Sequence, residues 1–451
     1  MFPAAFLPFV QQGPVGVMAR AIVERFFQPE PLDALFRQTA VQQYQRQLLF
    51  SSLVDLMQAV VLGAEPSVFS AYRKRQALLP VSDDSIYNKL KGMELGVSAA
   101  LVRDSATRAA AVIDELQARR PSWLPGYRLR ILDGNHLSAT EHRLQPLRDT
   151  WTAPLPGTIL VVMDAELDLA CDVFLTPDGH AQERTLLDDV LHTVAAQDLW
   201  IADRNFCTLK FLFEIACKEA FFLLRQHGNL QGRLTGERRF IGESPTGKVY
   251  EQAVEFVYDD HKRTLRRLTV ELLKPTRDGD VVLHILTNLP ADVSALQGAD
   301  LYSKRWSIEK LFYEVTQTLQ CEIDTLCYPP AALFVFCLAL TAASGVAVLK
   351  AALRATHGEK EAGEMSAYYL ALEIKQVYAG MMIALPPEEW RIFRVMSDAE
   401  FAAHLKEAAG HMNLAYYRKS KRGPKKPPPK KTQYGKGGHL STYRLLKDKK
   451  H

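Results

Sequence analysis

Cysteine is scarce in this chain. Six are scattered through 451 residues (Cys171, Cys207, Cys217, Cys321, Cys327 and Cys337), with no CxxC pair and no zinc spacing. That excludes a disulfide framework and leaves the thiols as small core residues of a reduced, cytoplasmic chain. The apolar N-terminus MFPAAFLPFVQQGPVGVMARAIVERFF lacks a basic leading segment, so no secretory signal is expected. Phosphate loops are also missing. GESPTGKV has Gly242, Gly247 and Lys248 at the right spacing, but Val249 stands where Ser or Thr is required and a strand, not a helix, is expected to follow. Long uncharged runs are few. The stretch YPPAALFVFCLALTAASGVAVL (Tyr328 to Leu349) is long enough to span a bilayer. Its Thr341, Ser344, Gly345 and opening proline pair favour a buried core helix, with a membrane span as the competing reading.

Net charge is low, +4 from 55 basic and 51 acidic residues, but it is unevenly spread. From Arg418 to His451 there are 13 Lys or Arg and one acid, a net of +12; the remaining 42 basic and 50 acidic residues give −8. Lys421, Arg422, Lys425 and Lys426 sit in that Pro/Gly/Lys-rich tail, interleaved with Tyr416, Tyr417, Tyr434 and Tyr443. Such a segment is too polar to fold alone and suits phosphate contact by counterion release, which makes these four residues candidate DNA contacts. A solvated solubility tail is the plainer alternative. At 47% hydrophobic residues the body can bury a sizeable core, and the length allows about three domains.

Three carboxylates stand out. Asp133 ends a strand-like run from Tyr127 to Leu132 and is followed by Gly134; Asp203 ends the apolar run from Leu199 to Ala202; Glu309 lies on an amphipathic helix. Acids at the ends of two buried strands, joined by one from a helix, can hold Mg²⁺, because hard cations take oxygen ligands. Tyr302, Arg305 and Glu309 are spaced by three and four residues and fall within an arc of roughly 60° on one helix. Ordinary solvated charge pairing between Arg305 and Glu309 is the alternative. Against it, Trp306, Ile308, Leu311, Phe312 and Val315 make much of the helix apolar. Asp164, Asp168 and Asp172 compete for the same role and read as hairpin-turn and edge residues.

The order Asp…Asp…Tyr-x2-Arg-x3-Glu resembles the DDE transposases of the insertion sequence 4 family. Asp133 in DGN, Asp203 in ADRNF, and Tyr302, Arg305 and Glu309 match, separated by 70 and 106 residues. The stretch YQRQLLFSSLVDLMQAVVLGAEPSVFSAY and the tail KRGPKKPPPKK…HLSTYRLL are similar too. One position departs: Thr316 stands where the family signature ends in Lys, and Lys310 is about 120° round the helix. Either Thr316 substitutes, another basic residue reaches in, or this copy is impaired.

The resemblance implies a metal-dependent DNA transposase. Asp133, Asp203 and Glu309 would be the catalytic residues and ligands of two Mg²⁺ ions, with Mn²⁺ able to substitute. One ion would activate water and the other stabilise the leaving 3′ oxygen. Arg305 and Tyr302 would contact the DNA beside the break. Terminal inverted repeats and target DNA would be the partners of a homodimer, with no membrane, in a bacterial cytoplasm near the nucleoid. A transposase-derived DNA binder that no longer cuts, and a structure-selective nuclease, remain alternatives.

Organisation follows. Residues 1–125 read as all-helical, with a helical pattern from Tyr44 to Leu62 and Ser82 capping a later helix; the resemblance makes this the DNA-binding region. Strands at 127–132, 157–163, 169–176, 199–202 and 221–224, with helices at 182–195 and 208–218, give an α/β unit over 126–227 in the order of a ribonuclease H-like fold. That fold sets the first and fourth strands side by side. Alternating runs between 228 and 290 predict a β-rich insertion whose Phe240, Tyr250 or Tyr258 could serve as the aromatic that related enzymes use. Residues 291–400 would complete the catalytic core, and 401–451 would end in the flexible basic tail.

Overall fold

The computed structural model describes residues 2–137, 140–141, 144–148, 154–276, 279–420 and 439–448. Within them the α/β expectation holds. One mixed sheet has nine strands: β1 (Arg128–His136), β2 (Thr158–Asp164), β3 (Leu169–Thr176), β4 (Asp198–Ala202), β5 (Phe221–Arg225), β6 (Arg233–Ser244), β7 (Gly247–Tyr258), β8 (His261–Leu272) and β9 (Val282–Thr287). Their spatial order is β3-β2-β1-β4-β5-β9-β8-β7-β6. The central β1, β4 and β5 run parallel, and every other neighbouring pair is antiparallel.

Composition explains the centre. TILVVMD and DLWIA are buried at every position, as strands covered on both faces must be. Alternate residues feed different cores. Ile131, Val161 and Ile201 face the long helix Pro329–His357, whereas Leu132, Val162 and Ala202 face helices Leu187–Thr193 and Leu209–Cys217. The β6–β8 strands extend the same sheet rather than forming a separate one. Asp259 and Asp260, at φ +49° and +60°, make the tight turn between β7 and β8. The phosphate-loop mimic is the β6–β7 hairpin, where the Ser244 hydroxyl accepts from Thr246 and Gly247.

Pro329–His357 is long and apolar enough to cross a membrane, but it runs through the protein core. Its residues from Leu333 to Leu340 are fully buried, and the Phe334 ring lies 6.1 Å from that of Phe50. Helices of the first 125 residues thus share one hydrophobic cluster with the sheet and this helix.

Three local expectations shift. The helix foreseen from Tyr44 begins at Phe50, because the N–H groups of Val41, Gln42 and Gln43 bond the Glu94 carboxylate at 2.8–3.0 Å and hold the preceding chain away from helical pairing. The helix foreseen over 182–195 opens as a 3₁₀ turn, Glu183–Leu186. The far end of the basic tail is anchored. Leu440–Ser441 pairs with Pro154–Leu155, and the Ser441 hydroxyl and Arg444 donate to Asp178 at 2.6 and 2.7 Å. Lys421, Arg422, Lys425 and Lys426 lie outside the described residues.

Candidate active site

Register places two of the three acids. Leu132 pairs with Ala202, and Ala202 with Leu224, across the three parallel strands. One residue further along each chain come Asp133, Asp203 and Arg225. These three share the sheet face that carries Ile131, Ile201 and Leu223. Asp133 does not end its strand, as its sequence context suggests. β1 continues to His136, paired with β2, and only the parallel ladder to β4 stops at Leu132. Asp203 does end β4.

The third element comes from two helices, not one. Ala295–Ser303 carries Tyr302, and Trp306–Thr318 carries Glu309. Between them the Lys304 and Arg305 amides donate to Leu301 and Tyr302, a 3₁₀-type turn. At three residues per turn, Tyr302 and Arg305 fall into line, so the tighter turn preserves the convergence that a continuous helix would give.

Arg305 is the hub. It is 8% exposed. One Nη donates to Asp133 Oδ2 at 2.7 Å and the other to Glu309 Oε1 at 3.0 Å. Its Nε is buried and finds no partner among the described residues. Burial opposes the guanidinium charge, but Asp133, Tyr302, Asp203 and Glu309 outweigh it and hold Arg305 above its usual range. Burial pushes the Asp133 carboxyl up to about 6, against the pull of Arg305. The Tyr302 hydroxyl donates to Asp203 Oδ1 at 3.4 Å, and burial followed by Asp203 raises its phenol.

So the structure brings together Asp133, Asp203, Tyr302, Arg305 and Glu309. Thr316 stays out: it is exposed, and its hydroxyl donates back to Phe312 and Tyr313. Lys310 turns to the far side of its helix. Asp164, Asp168 and Asp172 are engaged structurally, in ion pairs with Arg130, Arg120 and Arg103. Asp164 also accepts from the Glu166 and Leu167 amides of its hairpin turn. Of the aromatics on the added strands, Phe240 is 55% exposed, Tyr250 lies beneath Arg238 at 3.8 Å, and Tyr258 packs on Phe213.

Two site features escape the sequence reading. Arg225 stands 4.0 Å from Asp203 while Asp280 holds it at 2.7 Å. The signal was available, since Arg225 ends an apolar strand just as Asp203 does. Behind the sheet, the Glu183 carboxylate accepts from Asn205, and Arg184 donates to the Asn205 carbonyl at 2.6 Å. Glu183 lies so close to β1 that a Cβ on Gly134 would sit 1.8 Å from its Oε1. A side chain 49 residues downstream thus crowds the glycine of DGN, which spacing alone does not show.

Chemically the cluster is an anionic pocket bridged by one cation. Its carboxylates are the oxygen donors that a hard divalent ion takes. Arg305 now supplies the positive charge between Asp133 and Glu309. Among the described residues no three acidic, His or Cys side chains converge as a ready-made cation cage. Donor chemistry, rather than a formed cage, is what fits a divalent ion here, and Asp133, Asp203 and Glu309 would be the residues to hold it.

Residues 124–344 match the family described as transposase DDE domain, and all five residues of the cluster lie inside that span. No curated protein matches the chain. Among solved structures, a piggyBac transposase synaptic complex with hairpin DNA aligns over 94% of this chain and 88% of its own, at 9% identity and a TM-score of 0.40. A likeness that loose carries no argument.

Proposed function

We propose that this chain is a DDE transposase of the insertion sequence 4 type. It would cleave DNA at the ends of its element and join the freed 3′ ends to a target. The observation that carries this reading is the convergence on Arg305: acids from β1 and from the Trp306–Thr318 helix are joined through one guanidinium, with Asp203 level with Asp133 on the neighbouring strand, all within the matched domain. The strand order supports a ribonuclease H-like core, with β6–β9 as its β-rich insertion.

Asp133, Asp203 and Glu309 would hold Mg²⁺, or Mn²⁺ in its place. When bound, such ions make water a nucleophile and stabilise a leaving oxygen. The protein's own part is positioning. Tyr302 fixes the Asp203 carboxylate through its hydroxyl. Asp280 holds Arg225 beside Asp203, keeping positive charge next to the acids. The Arg305 fork matches phosphate geometry, so once released from Asp133 and Glu309 it can grip a phosphate next to the break. Terminal inverted repeats, target DNA and a second copy of the chain are the partners this reading requires, in a bacterial nucleoid.

The test is a supercoiled plasmid carrying the gene with its flanks, incubated with purified protein and Mg²⁺ or Mn²⁺. Metal-dependent breaks at flanking inverted repeats, absent with Glu309→Gln, are expected. Equal cutting by Glu309→Gln removes the assignment. A second reading is favoured by Thr316, whose hydroxyl is spent on its own helix: a transposase-derived binder that retains the flanks without nicking them. Cutting of branched DNA with no preference for terminal sequence would instead indicate a structure-selective nuclease.

A further inference from the structure

The glutamate helix has a second working face. Turned away from Asp133, it forms one wall of a cleft of about 340 Å³, closed by Trp123, by Lys350 and Arg354 of the long core helix, and by Lys419. That volume is at the small end of ligand-sized cavities.

The cleft carries six basic side chains against three acidic ones. All three acids are committed: Asp168 to Arg120 at 3.2 Å, Glu314 to Lys350 at 2.6 Å, and Glu359 to Arg120 and Arg354 at 3.4 and 3.6 Å. Lys310 has no acid partner among the described residues. The Lys419 ammonium donates to the Gly363 carbonyl, and burial, then Lys350 and Lys310, depress it below the usual range. The Arg354 side chain is 7% exposed; its Nε donates to the Ala118 carbonyl at 3.0 Å, while its Nη2 is buried with no partner among the described residues. Lys304 pairs with Asp300 at 3.1 Å, which leaves Lys310 and Lys419 without an acid partner beside a buried guanidinium nitrogen that lacks an acceptor; together they point to an anionic ligand. Aromatics flank them. Trp306 is 54% exposed at the rim, and Lys304 Nζ lies 5.3 Å from the Trp123 ring centre. Cations beside an exposed tryptophan suit single-stranded nucleic acid.

We infer that this cleft binds the phosphodiester backbone of a single DNA strand as it passes the carboxylates, an inference that rests on the transposase reading. Lys304, Lys310 and Lys419 take phosphates and Trp306 offers a stacking face. Lys419 also opens the basic stretch of the tail, so positive charge continues from the cleft along the chain.

The test measures binding of the full chain to a labelled duplex with a single-stranded 3′ extension, by fluorescence anisotropy across a salt series without divalent metal. Each lost phosphate contact on a single strand lowers the slope of log K against log salt by about 0.7, so Lys304→Gln/Lys310→Gln/Lys419→Gln should lower it by about 2. The control Lys210→Gln/Lys262→Gln, on other faces, should leave it unchanged. An unchanged melting temperature shows that the triple variant is folded. Trp306→Phe should also remove the tryptophan quenching that the extension causes. A triple-variant slope equal to that of wild type, or a loss confined to blunt duplex, overturns the cleft while leaving the transposase reading in place. Absence of any DNA binding by wild type overturns both.

Discussion

Gly134→Ala tests whether the second residue of the DGN motif is glycine for packing or for the backbone. Gly134 lies in the extended strand β1, where alanine is the better residue by roughly 0.5–1 kcal/mol. An added Cβ, however, would meet Glu183 Oε1 at 1.8 Å and Cδ at 2.4 Å. Glu183 must swing away and give up its bond from Asn205, a charge-assisted hydrogen bond of about 1.5–3 kcal/mol. The single variant should therefore lose roughly 1–2 kcal/mol. In a Glu183→Ala background the methyl group fills vacated space, and Gly134→Ala should be neutral or slightly stabilising. The coupling energy of the cycle is then about 2 kcal/mol. Urea midpoints for the four proteins at constant m-value measure it. If Gly134→Ala costs the same with and without the Glu183 side chain, the packing argument fails.

Other expectations follow from the same geometry. Arg305→Ala leaves a largely buried Asp133 facing Glu309 without its cation and should lower stability by about 3 kcal/mol; Mn²⁺ should raise the melting temperature of this variant more than that of wild type, and equal shifts would count against a shared cation position. Thr316→Lys changes an exposed side chain, so stability should move by less than about 0.5 kcal/mol, while DNA cleavage should rise if this position bears on the site; unaltered cleavage would mean that it does not. Burial, helped by Arg267 and Arg238, lowers the His284 imidazole to about 4. The unfolded chain therefore binds the extra proton between about pH 6.5 and 4, and stability from this residue is complete above 6.5 and lost as pH falls. His284→Gln should flatten that part of the urea-midpoint profile, and an unchanged acid slope would refute it.

Much of the sheet was legible because fully apolar runs such as TILVVMD admit little besides a doubly covered strand. Asp133 and Asp203 stood out because an acid interrupts such a run, whereas their adjacency followed from the element order of the fold they resemble. Less visible was what lies between elements. A 3₁₀ turn replaces the continuous helix through Arg305 because it can be formed by the same residues at nearly the same spacing. Glu183, Arg225 and Arg354 act through partners 22, 55 and 236 residues away in sequence, Asn205, Asp280 and the Ala118 carbonyl. No local pattern marks such pairings. The anchoring of Leu440–Ser441 was hidden by the polar residues around it.

The long core helix also sets an order of events during synthesis. Asp133 and Glu309 are separated by 176 residues, so at 5–20 residues per second roughly 10 to 35 s pass between them. Pro329–His357 comes later still, and the earlier helices need it to close their shared hydrophobic cluster. A chain cut short before Glu309 has neither the third acid nor a finished interior, and one cut between Glu309 and Pro329 has the acid without the helix that closes the core. The carboxylate cluster and the interior behind it are therefore completed late and close together in synthesis.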